Sequence, residues 1–170
     1  MRPARLLTLI ALLTGLLSAM LPTLPAAASD NYPWRTDATW TADSWGFTKR
    51  QCVSFAAFRL ALAGHPIVNS TGNWGSAAHW DDAAVAHHLT VSRMPAIGTI
   101  AQWNGYERSG YWTWGSLTMN GTIQAGGWGH VGVVTYVYPD RSVKVEQYNI
   151  NGTRSWSVMR AYAPRYLYIR

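Results

Sequence analysis

The chain has 170 residues, a formal net charge of +6 and a single cysteine, Cys52. One cysteine excludes an intramolecular disulfide and a cysteine-based zinc site of the usual kind. The charge surplus is modest and no Lys/Arg cluster accompanies it, so nothing marks a nucleic-acid partner. The length suits one domain around one core.

Arg2 and Arg5 precede an apolar run from Leu6 to Leu21, which Pro22 and Pro25 break before Ala26-Ala27-Ala28. This is the layout of a secretory signal peptide over residues 1–28, with cleavage after Ala28. The run falls short of the roughly 20 apolar residues that span a bilayer. The expectation is a secreted, monomeric chain at the cell wall, with no stable membrane insertion after cleavage. Losing Arg2 and Arg5 lowers the formal charge from +6 to +4. Residues 29–42 are polar with scattered aromatics and predict an irregular lead-in to a single domain over 43–170.

From Arg50 the pattern becomes helical. Val53, Ala56, Ala57 and Leu60 recur at the spacing of one buried helix face, and Gly64 and Pro66 stop the helix. A second helical pattern follows over 73–89, with Trp74, Ala77, Ala78, Ala84 and Val85 expected inward and Asp81-Asp82 in a first turn. Beyond Pro95 the period shortens. Segments 97–103, 130–138, 142–150 and 163–170 read as strands, and Pro139-Asp140-Arg141 as a tight turn between two of them. Residues 104–129 have no clear period and read as a loop or an extra hairpin. Helices first and an antiparallel sheet afterwards give an α+β domain. Ten tryptophans in so short a chain suggest that some line a groove for sugars or peptides.

Cys52 falls at the start of the first helix, in the positive end of its dipole, with Lys49 and Arg50 just before it. That setting predicts a partly exposed thiol with a lowered pKa. Acyl transfer also needs a base, and at neutral pH that is histidine. His130 stands out because it opens a strand after the turn Gly126-Gly127-Trp128-Gly129. The base in turn needs a group to hold its ring. One hairpin away, Glu146, Gln147 and Asn149 supply candidates. His65, His79, His87 and His88 lack carboxylates at ligand spacing, so no metal site is expected. Nothing calls for a cofactor.

The stretches WGFTKRQCVSFAAFRLALAGHPIVN, NWGSAAHW, MPAIGTIAQW, GHVGVVTYV and VKVEQYN, in that order, resemble the CHAP domain family of cysteine- and histidine-dependent amidohydrolases and peptidases. The resemblance spans about residues 43–170. It implies a papain-like (NlpC-type) fold, with N-terminal helices packed on an antiparallel sheet. It also implies cleavage of an amide bond in bacterial cell-wall peptidoglycan, with Cys52 as nucleophile and His130 as base. Whether an N-acetylmuramoyl-L-alanine amidase or an endopeptidase is implied stays open.

The family usually carries Glu-x-Asn on its last strand. Here Asn149 matches the asparagine, Gln147 stands where the acid should be, and Glu146 is displaced by one. Strand alternation puts Gln147 and Asn149 on one face and Glu146 on the other, which favours Gln147 as the group that orients His130. Two other functions compete: a non-catalytic wall-binding module with a degenerate site, and a secreted amidase with a non-wall substrate.

Overall fold

Helix α1, Cys52–Leu62, begins at the cysteine as the spacing predicts. Its buried surface is wider than the predicted stripe, because Phe55 and Phe58 are buried along with Ala56, Ala57 and Leu60. A helix apolar on more than one side must be covered on more than one side. One side packs on the sheet, through Ala56, Ala57 and Leu60 against Ile100, Val131 and Leu167. The other is closed by Tyr32 and Tyr148, which join Phe55 and Phe58 in an aromatic cluster.

A computed structural model describes residues 29–108, 112–114, 117–119 and 124–170. The expected signal peptide over 1–28 lies outside the described residues. No helix among the described residues is long and apolar enough to cross a membrane.

After α1 come a short helix α2 (Asn69–Gly72), a 3-10 turn (Ala77–His79) and α3 (Trp80–Ala86). The strands are β1 (Thr90–Ser92), β2 (Ile100–Trp103), β3 (Trp112–Trp114), β4 (Leu117–Met119), β5 (His130–Val137), β6 (Val143–Tyr148), β7 (Trp156–Ala161) and β8 (Arg165–Tyr168). Six form one antiparallel sheet in the order β1-β8-β2-β5-β6-β7. The expected α+β class, helices on an antiparallel sheet, is the observed one. Residues 104–129 contain the extra hairpin, β3 paired with β4.

Three elements were not legible in the pattern. Strands β1 and β7 lie at the two edges of the sheet, and β7 is half-buried along nearly its whole length. Neither therefore shows an apolar alternation. Helix α2 buries no residue at all. In the second helical segment Trp74, Ala77 and Ala84 are buried as expected, but Val85 is exposed, and the fully buried Trp80 takes the inward place. The 3-10 turn causes the difference, because it shifts the phase between Ala77 and α3.

The lead-in is irregular but not superfluous. Tyr32 is fully buried, and its hydroxyl accepts the Arg50 backbone N–H at 2.9 Å. It also lies 2.6 Å from Ser54 Oγ. Ser54 in turn donates to Asp43 Oδ2 at 2.5 Å, so its single hydrogen is spent there and the tyrosine O–H donates to it. Burial holds that phenol protonated, its pKa pushed up to about 12. Asp43 accepts the backbone N–H groups of Trp45 and Phe47 as well. Arg50 sits at φ 59°, a conformation most residues avoid. The network thus grips the chain two residues before and two residues after Cys52.

Candidate active site

Cys52, at the first turn of α1, is half-buried. It shares a groove of about 880 Å³ with His130, Gln51 and Asn149. The backbone N–H groups of Val131, Val53 and Cys52 itself point at the sulfur and favour thiolate, but burial outweighs them and pushes the thiol pKa up. The lowered pKa expected from the helix dipole is thereby corrected. A dipole acts through roughly half a charge, whereas drawing a thiolate away from water weakens the hydration of a full charge.

The Val131 N–H reaches the sulfur from the residue after His130, so α1 and the start of β5 meet at this point. His130 is 4% exposed and packs its ring 6.0 Å from that of Trp103. Its Nε2 lies 2.6 Å from Gln147 Oε1. An amide oxygen can only accept, so Nε2 carries the proton and Nδ1 keeps its lone pair. The Gln147 amide is itself held, donating to Ser157 Oγ at 3.4 Å and toward Met159 Sδ. Gly132 gives this arrangement room, since a Cβ there would stand 2.4 Å from Val145 Cγ1 and 3.2 Å from Gln147 Cβ.

Burial lowers the His130 pKa to about 4, against the opposing pull of the Gln147 bond. Thiol and imidazole are therefore both neutral at pH 7.

Glu146 points to the other side of β6. It accepts Arg59 Nη2 of α1 at 2.5 Å and Trp156 Nε1 at 2.8 Å. Asn149 departs from the alternation argument. Strand β6 ends at Tyr148, and Asn149 takes φ 60°, so it no longer shares a face with Gln147. Its Nδ2 donates to Gln51 Oε1 at 2.6 Å and its Oδ1 accepts the Arg154 N–H at 2.7 Å. The structure therefore brings Cys52, His130 and Asn149 to one groove, sets Gln147 behind His130, and keeps Glu146 away.

Gln51 carries no motif and was legible only as the residue before Cys52. It occupies the N-cap of α1 without capping it, in keeping with the preference of that position for Ser, Thr, Asp and Asn. Its side chain serves the groove instead. His65, His79, His87 and His88 are exposed and line no part of it.

Residues 42–149 match the family model described as "CHAP domain". Among solved structures, the fold is similar to an N-acetylmuramoyl-L-alanine amidase from Staphylococcus aureus, with a TM-score of 0.53 and 21% identity. That alignment covers 71% of this chain and 30% of the amidase chain. The chain thus spans less than a third of that protein's length, and the likeness is one of fold.

Proposed function

Because this chain belongs to the CHAP domain family, we propose that it is a hydrolase of peptidoglycan amide bonds, secreted by means of residues 1–28. Cys52 serves as nucleophile, His130 as base and Gln147 as the group that orients the base. One observation carries the reading: His130 is fixed in the Nε2–H tautomer by Gln147, in the same groove as a cysteine at a helix N-terminus.

The chemistry starts from a neutral pair. As Cys52 Sγ bonds to the substrate carbonyl carbon, its proton passes to His130 Nδ1. Gln51, its Oε1 already taken by Asn149, offers its NH2 group to the carbonyl oxygen as charge develops there. The C–N bond then breaks, the imidazolium protonates the leaving nitrogen, and a thioester remains. Water gives its proton to Nδ1 and its oxygen to the carbonyl carbon. The S–C bond breaks and Cys52 regains a proton. Gln147 supports the imidazolium with a dipole where a carboxylate would use a full charge.

The absence of that charge is also what favours a binding-only module as the second reading. Sacculi separate the two. Incubation with the protein, followed by mass spectrometry, should release fragments with new carboxyl and amino ends, and Cys52→Ala should release none. Intact sacculi that nonetheless retain the protein would instead establish the binding module.

The low His130 pKa has a measurable consequence. The base must be neutral, so the acid limb of kcat/KM should fall near pH ~4, leaving lysis flat from about pH 5 to 7. Gln147→Glu should move that limb to higher pH. Stability runs in the same direction. The unfolded histidine, at 6.5, binds a proton before the folded one does. As pH falls from about 6.5 toward 4, the protein should lose on the order of 3 kcal/mol through this group. Chemical denaturation across that range checks it, with His130→Asn as the flat reference.

A further inference from the structure

The groove has two features that the amide chemistry does not use. Its rim carries exposed aromatic rings: Trp40, Tyr106 and Trp128 are 76%, 74% and 79% exposed. Among the described residues, its lining contains no Asp, Glu, Lys or Arg.

Two of the three rings, Tyr106 and Trp128, are exposed on hydrogen-bonded backbones. Trp40 stands at φ 73° and Tyr106 at φ 64°, where a bulky side chain is an outlier. The Arg154 guanidinium lies 5.8 Å over the Trp40 ring. Tyr106 bonds its N–H to Gly126 O at 3.3 Å, and its hydroxyl would lie 2.9 Å from a Cβ at Gly127. Only glycine leaves room for that ring. Trp128 accepts the Ala78 N–H at 2.9 Å. It precedes Gly129, whose φ of 73° and whose tight seat against Ala78 N and Trp103 O exclude a side chain. Backbones fixed this firmly around solvent-exposed rings are poised to offer flat faces to a ligand.

The missing charges decide which ligand. A wall stem peptide carries free carboxylates and an amine; Arg154 meets the rim only over the Trp40 ring, so deeper in the groove those charges would lose hydration with no counter-charge on the lining. A saccharide is neutral. Its C–H faces suit aromatic rings, and its hydroxyl and acetamido groups suit amides such as Gln124 and Asn151, both exposed on the lining.

We infer that Trp40, Tyr106 and Trp128 form a saccharide platform that stacks on N-acetylated pyranose rings of the glycan strand. The amide delivered to Cys52 is then the one joining sugar lactyl group to peptide. The identity of that bond rests on the hydrolase reading above; the platform itself does not.

Fluorescence titration of the purified protein tests it, with the N-acetylglucosamine tetramer and the free stem tetrapeptide as separate probes. The sugar should saturate the tryptophan signal, and the tetrapeptide should bind at least about tenfold more weakly. Trp40→Ala and Trp128→Ala should each weaken sugar binding about tenfold, equivalent to about 1.4 kcal/mol. Both side chains are more than three-quarters exposed, so the variants should fold. Equal affinity for the tetrapeptide, or wild-type sugar affinity in both variants, overturns the platform. Cys52-dependent lysis without sugar binding sinks the platform alone. Variant-sensitive sugar binding with inert sacculi sinks the hydrolase reading and keeps the platform.

Discussion

Replacing Cys52 by alanine should reduce amide hydrolysis to background, a loss on the order of 10³-fold or more in kcat/KM. Cys52 is half-buried as a residue while its sulfur packs against the start of β5, so losing that one atom should lower the melting temperature only modestly. His130→Ala should lose as much turnover, and the double variant no more than either, since nucleophile and base act as one unit. The two singles should differ in stability. His130 is buried against Trp103 and bonded to a buried Gln147. Its removal leaves a cavity and an orphaned amide oxygen, a cost of about 1–3 kcal/mol. Progress curves on sacculi and thermal melts of the three proteins check both parts. Full lysis by Cys52→Ala ends the proposed mechanism.

Glu146→Gln should act in the opposite way, unfolding the protein more readily while sparing its chemistry. The carboxylate is 4% exposed and receives both Arg59 and Trp156. Arg59 also reaches Asn31 Oδ1 and Ser29 O, tying α1, β6 and the lead-in together. Removing the charge leaves the guanidinium without its counter-charge in a largely buried place, at a cost of about 3 kcal/mol. Below the melting transition, kcat/KM should stay within a few-fold of wild type. Denaturant titration together with lysis at low temperature distinguishes this from a catalytic role. A Glu146→Gln protein of unchanged stability and lost turnover would transfer the orienting role from Gln147 to Glu146.

What the sequence determined by itself was local and periodic. The stripe of Val53, Ala56, Ala57 and Leu60 marked α1 and put Cys52 at its start. The β-rich segments marked four of the six strands of the main sheet, and alternation along β6 separated Gln147 from Glu146. Alternation stopped being informative at Asn149, because one left-handed residue ended the strand and turned that side chain toward Gln51. The edge strands β1 and β7 stayed hidden, since half-buried positions carry no clean pattern.

Only the tertiary structure decided the quantities that depend on burial. The sequence places Cys52 in a helix dipole; its packing against the start of β5 takes away the water that a thiolate needs, and the thiol pKa rises. The same burial lowers that of His130. The lead-in reads as an irregular polar stretch, yet the fold brings Tyr32 under Arg50 and Ser54, beside the cysteine it helps to hold. Contacts between residues far apart in the chain leave no period in the sequence. Desolvation, which sets the protonation state of both groups, is the sum of such contacts.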